Sequence, residues 1–425
     1  MRTKTELIQR AVKWRPDEKQ CYYLFLALFF IALLRDPLEQ VAHPISYIDE
    51  LLALCAVPLF FMEYMRNKPT TLFQQGGYAR YIVAFWILGL VSSLIYHYQP
   101  FGRVALVDMF LCIKFWLAIY VGKVVFEHLS LKDYADKIYL CIRVTVWIFA
   151  ILILADYLVW ILNSGNGFFE GEVRLGIKSV KLFYSHPMIF SACCVFLLAV
   201  LVAIEDYVKG SRKYLVILGI MMGLTLRSRV FGVVILIAIL YICVYLWNRK
   251  LNLKILLCTI PALLLIGAYQ IYYYFFSSIQ QGSARYQLVV KSVEIAKDHI
   301  PLGAGFGTFA SDISGKVYSP LYQMYEMEHI WGLEEGKTYF VSDTFWPMIL
   351  GQTGWLGLIC FAAAVILLFL RIQKLYEIQK GLYLSGIIII AYLLIESVAG
   401  SAFVHPTAVP LAIWLGILLK EKINE

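Results

Sequence analysis

SIQQGSARYQLVVKSVEIAKDHIPLGAGFGTFASDISGKVYSPLYQMYEMEHIWGLEEGKTYFVS, residues 278–342, is the one long polar interval in a chain whose other inter-helix segments are short. It carries Arg285, the glycine-rich run Pro301-Leu302-Gly303-Ala304-Gly305-Phe306-Gly307 and His329, and Asp343 follows at its far edge. Binding and catalytic groups concentrate on irregular segments held by a rigid scaffold. Any site for a polar substrate therefore has this interval as its roof and the apolar stretches on either side as its floor.

Those apolar stretches decide the class. The chain has 425 residues, 61% hydrophobic and 16% charged, with a mean hydropathy of +0.72. A soluble protein of this size cannot hide that much apolar surface in one core. Apolar windows fall near 21–34, 45–62, 81–96, 104–122, 144–162, 188–204, 214–226, 230–247, 255–276, 344–370, 382–398 and 407–419. The expected fold is an all-α polytopic membrane protein of about twelve transmembrane helices, with a large outward-facing loop containing short helices. Spans one to nine occupy 1–277 and include a second outward loop at 163–187. The large extracytoplasmic loop is 278–342, and spans ten to twelve occupy 343–425.

Orientation follows from the basic residues. With a cytoplasmic N-terminus, 24 of the 37 Lys and Arg fall in inner segments, 12 fall outside, and Lys114 lies within a span. The positive-inside rule then puts both termini in the cytoplasm and the long loop outside. The net charge of +8 sits mostly where anionic inner-leaflet lipid would meet it, so nucleic acid is not an expected partner. All nine cysteines lie in or at the edges of apolar spans, which gives neither a disulfide framework nor metal-ligand spacing. The basic N-terminal segment lacks a small-residue cleavage site after an apolar core, and the first span is expected to stay as an anchor.

Several polar groups interrupt the apolar windows. Between 214 and 247 two short spans meet at Thr225-Leu226-Arg227-Ser228-Arg229 with no real loop. Two arginines there are tolerable if they line a wet cavity, bind an anion or act as interfacial anchors, and broken helices in membranes commonly mark substrate sites. The 163–187 loop offers Arg174, Lys178, Lys181 and His186 as either a solvated connection or a second wall of an anion site. Asp108 and Lys114 in the fourth span are expected to face the bundle interior or to snorkel. Asp49 and Glu50 open the second span as interfacial charges or acceptor-binding groups, and Glu396 is expected to be buried in the eleventh. Downstream of Arg285 the apolar spacing suits an amphipathic helix, and 316–337, rich in Tyr, Glu and Met, suits a lid over sugar faces. The Gly-x-Gly-x-Gly run at 303–307 has no preceding strand and no following Lys-Ser/Thr, so a tight turn accounts for it better than a nucleotide loop.

Taken in order, Arg174-Leu175-Gly176, His186-Pro187, Thr225-Leu226-Arg227-Ser228-Arg229, Arg285, the glycine-rich run, Asp343-Thr344-Phe345 and Gln352-Thr353-Gly354-Trp355-Leu356-Gly357 resemble the O-antigen polymerase and O-antigen ligase superfamily. The resemblance covers roughly 165–365 and rests on order, spacing and topology rather than on one motif.

It implies a glycosyltransferase of the bacterial plasma membrane that needs no metal or cofactor and works on the outer face. Its donor would be a glycan on undecaprenyl pyrophosphate. A Wzy-type polymerase would join such repeat units into O-antigen, capsule or exopolysaccharide with inversion at the anomeric carbon, beside a chain-length regulator and a flippase of the same pathway. Arginine suits a departing pyrophosphate because its planar fork binds phosphate bidentately and stays charged. Arg229 and Arg285 are thus expected to clamp the leaving group, with Arg174, Arg227 and His186 as further substrate contacts. Ligases of the family carry a histidine just before the span that follows the long loop. Here that position reads Val341-Ser342-Asp343-Thr344, which favours the polymerase and leaves Asp343 and His329 as equal candidates for the base. A ligase and a lipid-linked glycan transporter are the alternatives.

Overall fold

The computed structural model describes residues 15–65, 77–163, 165–174, 176–251 and 282–420. Among these the regular secondary structure is almost entirely helical. The helices are α1 (Glu18–Glu39), α2 (His43–Met65), α3 (Tyr78–Tyr96), α4 (Phe101–Val125), α5 (Ala135–Leu162), α6 (Pro187–Tyr207), α7 (Arg212–Gly223), α8 (Ser228–Leu246), α9 (Ala284–Asp298), α10 (Phe345–Glu377), α11 (Lys380–Glu396) and α12 (Ala408–Leu418). Two short helices, Asp312–Lys316 and Leu321–Met324, follow α9, and a two-residue hairpin pairs β1 (Val173–Arg174) with β2 (Ile177–Lys178).

Eight of the helices, α1 to α6, α8 and α10, are long and apolar enough to cross a membrane. This fits an all-α membrane protein. Three further apolar windows form shorter helices: α7 with 12 residues, α11 with 17 and α12 with 11. The window near 255–276 lies outside the described residues.

Helix α6 is apolar on every side and is buried almost throughout, the behaviour expected of a central helix. It is flanked by α7 and α11, while α12 packs on α4, and α10 on α3. The α4–α12 contact needs small residues. A Cβ on Gly122 would stand 2.1 Å from the Ile413 carbonyl oxygen, and one on Gly416 would stand 2.2 Å from that of Ile119. Backbones this close gain packing along the whole contact in a setting where lipid gives helices little hydrophobic reason to associate.

The segments at one end of the bundle touch one another. Ser185 bonds Asp36, Tyr98 bonds His299, and Val180 bonds the Leu224 carbonyl. At the other end Arg212 pairs with Glu205, Lys250 with Glu377, and Arg15 with Glu127. The first end holds the candidate site.

The glycine-rich run is not a roof. It enters the bundle between α3, α4 and α10. Ala304 N–H donates to Gly351 O at 2.9 Å and Gly305 N–H to Gln352 O at 2.8 Å. Phe306 N–H donates to Ser93 Oγ at 2.8 Å, Gly307 N–H to Asp108 Oδ2 at 2.8 Å, and Ser92 Oγ to the Gly303 carbonyl. Helix α10 makes room by breaking its own ladder at Gly354, whose φ of 66° and ψ of −170° suit only glycine. The freed α10 carbonyls and the loop amides then satisfy each other, as buried backbone groups must.

Candidate functional site

The first wall of the site is the α7–α8 break. Leu226 adopts a left-handed φ of 51°, Arg227 is extended, and α8 restarts at Ser228. The carbonyls left open where α7 ends are taken by the 163–186 segment: Val180 N–H donates to Leu224 O at 2.9 Å, and Ser179 Oγ to Thr225 O at 2.7 Å. Arg227 Nη2 lies 3.4 Å from Glu172 Oε1, and Arg174 grips Glu172 Oε2 through Nε at 2.9 Å and Nη2 at 2.8 Å. The Arg174 hydrogen bonds, with the charge of Arg227, hold the Glu172 carboxyl below its ordinary range. Arg229 turns to the end of α11. Its Nη1 donates to the Ala399 carbonyl at 2.5 Å and to the Glu396 carbonyl at 3.2 Å, and lies 3.1 Å from Glu396 Oε2. A cation there completes the open carbonyls of α11 and meets the negative end of its dipole.

The second wall joins the ends of the long loop. Arg285 is the second residue of α9 and Asp343 lies two residues before α10. Arg285 donates to Asp343 Oδ2 through Nη2 at 2.6 Å and Nε at 3.0 Å.

Three adjoining cavities run across this end. The outermost, about 320 Å³, is lined by Glu172, Lys181, His186 and Arg227. The middle one, about 300 Å³, is lined by His186, Arg229, Asp343, Tyr392, Glu396 and His405. The innermost, about 240 Å³, is lined by Glu50, Asp108, Lys114, Ser311, Asp312 and His405. His186 is a wall of the first two, and Ser342, Ser401 and His405 are walls of the last two. The three adjoin through these shared walls; the outermost sets Lys181 and Arg227 against Glu170 and Glu172, and the innermost is rich in carboxyl groups.

Of the residues singled out from sequence, Arg227, Arg229, His186 and Asp343 line these cavities. Arg285 joins them through Asp343, and Arg174 joins them through Glu172. His329 does not: its side chain is 85% exposed beside Glu328 and lines none of the three cavities. Lys178, offered above as an outward cation, is buried and paired with Asp156 at 2.7 Å. Asp49 is likewise no interfacial group, being buried between Lys114 at 2.6 Å and Arg35 at 3.1 Å. Glu172, Glu396 and His405 were missed as site residues. For Glu396 the signal was present, because a carboxylate inside an apolar span needs a cation and Arg229 is the one it finds.

The two cavity histidines are held as neutral donors. Met188 N–H donates to His186 Nδ1 at 3.2 Å, and Thr407 N–H donates to His405 Nδ1 at 3.3 Å. Each Nδ1 therefore accepts, which places the ring proton on Nε2. Burial, then the charges of Arg227 and Arg229, push His186 below its ordinary range, and burial with Lys114 and Arg35 nearby pushes His405 down to about 4. An unfolded chain binds a proton at these rings near pH 6.5 and the folded chain does not. Stability is thus fully present above that pH and falls as the pH drops from 6.5 toward 4. Thermal unfolding followed from pH 8 to pH 4 is expected to show this decline, and His405→Asn, which keeps an acceptor for Thr407 N–H, is expected to flatten it. An unchanged slope in the variant would remove His405 as its source.

Among the described residues no group of three or more His, Cys, Asp or Glu is placed to hold a metal ion. Comparison with known proteins returns no matching family model and no matching curated protein.

Proposed function

We propose that the chain is an outer-face glycosyltransferase that polymerises oligosaccharide repeat units carried on undecaprenyl pyrophosphate. The observation that carries this reading is the middle cavity, where Arg229 and the Arg285-bound Asp343 line the same space. A pyrophosphate leaving group needs fixed cations, and an incoming hydroxyl needs a carboxylate. The acceptor oxygen attacks the anomeric carbon of the donor glycan as its proton passes to the Asp343 carboxylate. The bond from that carbon to the pyrophosphate oxygen breaks, and the electron pair leaves with undecaprenyl pyrophosphate. Attack from the face opposite the leaving group inverts the anomeric centre.

The same reading places about twelve spans in a bacterial plasma membrane, with both termini cytoplasmic and the cavities on the outer side. A flippase would supply the substrate, and a chain-length regulator would be the natural partner. The basic residues counted above support this orientation.

The test is reconstitution of purified protein in vesicles with synthetic undecaprenyl-pyrophosphate repeat units and a chelator, the products being sized on a gel. A ladder is expected. Transfer of a preformed glycan to a lipid-core acceptor without a ladder would make the protein a ligase, and no transfer to either would sink the glycosyltransferase reading. Asp343→Asn, which keeps the shape of the side chain and an oxygen for Arg285, is expected to slow ladder formation by roughly 10²–10⁴-fold. Turnover within threefold of wild type would discard Asp343 as the base.

A further inference from the structure

A groove of about 660 Å³ opens between α7 and α8, with Leu198 and Val202 of α6 behind it. It shares no residue with the three cavities above. Arg229 reaches from α8 to the end of α11, whereas Phe231, Val234 and Ala238 line the groove from another side of the same helix. The groove is therefore no extension of the candidate site. We infer that it is a binding site for one acyl chain of an anionic phospholipid of the surrounding bilayer, with the lipid phosphate on Arg212.

Small residues keep the groove open. Gly219 and Gly223, four residues apart on α7, both line it. A Cβ on Gly219 would come no nearer than 3.9 Å to Val234, and one on Gly223 no nearer than 3.7 Å to Phe231. Where α4 meets α12, Gly122 and Gly416 bring two backbones into contact. Here the glycines weaken a helix without closing a contact, and the space they leave stays lined by Leu215, Val216, Ile220 and Ile237.

The dimensions suit a single chain. The groove is lined from Arg212 to Gly223, the 12 residues of α7, which rise about 18 Å. Half of a bilayer's hydrocarbon core is roughly 15 Å thick. The volume also falls within the roughly 300–1,000 Å³ of sites that enclose a small ligand.

Only one end of the groove is polar. Arg212 and Tyr241 stand there. Arg212 Nε donates to Glu205 Oε1 at 3.2 Å, and the Tyr241 hydroxyl donates to the same oxygen at 2.5 Å. The Arg212 side chain is nevertheless 75% exposed, so the outer edge of its fork is open to a phosphate, which guanidinium binds in bidentate fashion. Lys209 and Lys213 are exposed beside it. Residues 205–213 hold three cations and two carboxylates, an excess that favours a lipid carrying net negative charge over one whose own ammonium cancels its phosphate.

The experiment uses the full chain in detergent, with phosphatidylglycerol and phosphatidylcholine of identical acyl chains as probes and native mass spectrometry to count bound lipid. Arg212→Gln removes the phosphate contact. Gly219→Phe fills the groove and leaves the Arg212–Glu205 pair alone, which covers the case in which stranding Glu205 disturbs folding. Val91→Phe adds the same ring to an exposed apolar position on α3 and serves as the control. Wild type and the control are expected to hold one phosphatidylglycerol at least tenfold more tightly than phosphatidylcholine. Arg212→Gln is expected to lose that preference, and Gly219→Phe to weaken both lipids tenfold or more. Equal affinity for the two lipids in wild type, or phosphatidylglycerol binding that survives both variants, would mean ordinary bilayer contact and overturn the inference. A dimer that Gly219→Phe dissociates would give the groove to a second copy of the chain and overturn it as well.

Discussion

Arg229→Met is expected to abolish the polysaccharide ladder, with turnover down by at least roughly 10²–10³-fold, the cost of losing one preorganised donor to a developing anion. The same change is expected to destabilise the protein, because it strands Glu396, whose side chain is 8% exposed and whose Oε1 already has no hydrogen-bond donor. Breaking a fully buried pair costs about 3–5 kcal/mol. Arg229 is 25% exposed, so a loss on the order of 2–3 kcal/mol is the reasonable figure here. The two effects are separable. Adding Glu396→Gln removes the stranded charge and is expected to recover most of the stability, read by unfolding in mixed detergent micelles, without recovering any turnover. A double variant that polymerises normally would show that Arg229 serves only to neutralise Glu396 and cap α11, and its place in the chemistry would have to be given up.

The second large effect lies at the glycine-rich run. Gly303→Ala would set a Cβ 2.4 Å from the Gln352 carbonyl carbon and 2.5 Å from the Gly354 nitrogen, and Gly354→Ala would set one 2.5 Å from the Leu302 carbonyl carbon. These neighbours are backbone atoms and cannot rotate away, and Gly354 would also be forced into a conformation closed to alanine. Relief requires withdrawing the run from α10, which forfeits the Ala304 and Gly305 hydrogen bonds. A cost of about 3 kcal/mol or more is expected for each, seen as a large drop in the thermal midpoint or as loss of monodisperse protein. Gly102→Ala and Gly282→Ala make the same chemical change where nothing lies within 4 Å. They are expected to stay within about 0.5 kcal/mol of wild type. Four similar outcomes would refute the threaded arrangement.

Much of the fold was legible because membrane helices advertise themselves by length and apolarity. Eleven of the twelve apolar windows coincide with helices among the described residues, and the helix after Arg285 buries Leu288, Ser292 and Ile295 on one face, as its spacing required. The break at Arg227 was also readable, since two arginines between short apolar runs cannot continue a lipid-exposed helix. What escaped depends on pairs far apart in the chain. Nothing near Pro301 indicates that the run ends against Ser93, 213 residues before Phe306, or against Asp108, 199 residues before Gly307. In the candidate site, the cationic groups were recognisable as types, but the partners that position them were not. Glu396 lies 167 residues from Arg229, and Asp343 lies 58 from Arg285. His329 failed for a plainer reason. Its place in the outward interval said that it could face a substrate, and only its surroundings say that it faces solvent.

The threading of the glycine-rich run also limits how this chain can be recombined with others. An external loop that merely rests on a bundle can be exchanged at its two ends. Here the segment after α9 is stitched to Ser92 and Ser93 of α3, Asp108 of α4 and the broken turn of α10. A foreign loop spliced between the ends of 278–342 would arrive without its seat. Chimaeras meant to exchange this loop therefore have to move it together with these helix positions, as one inheritable block scattered over more than 260 residues.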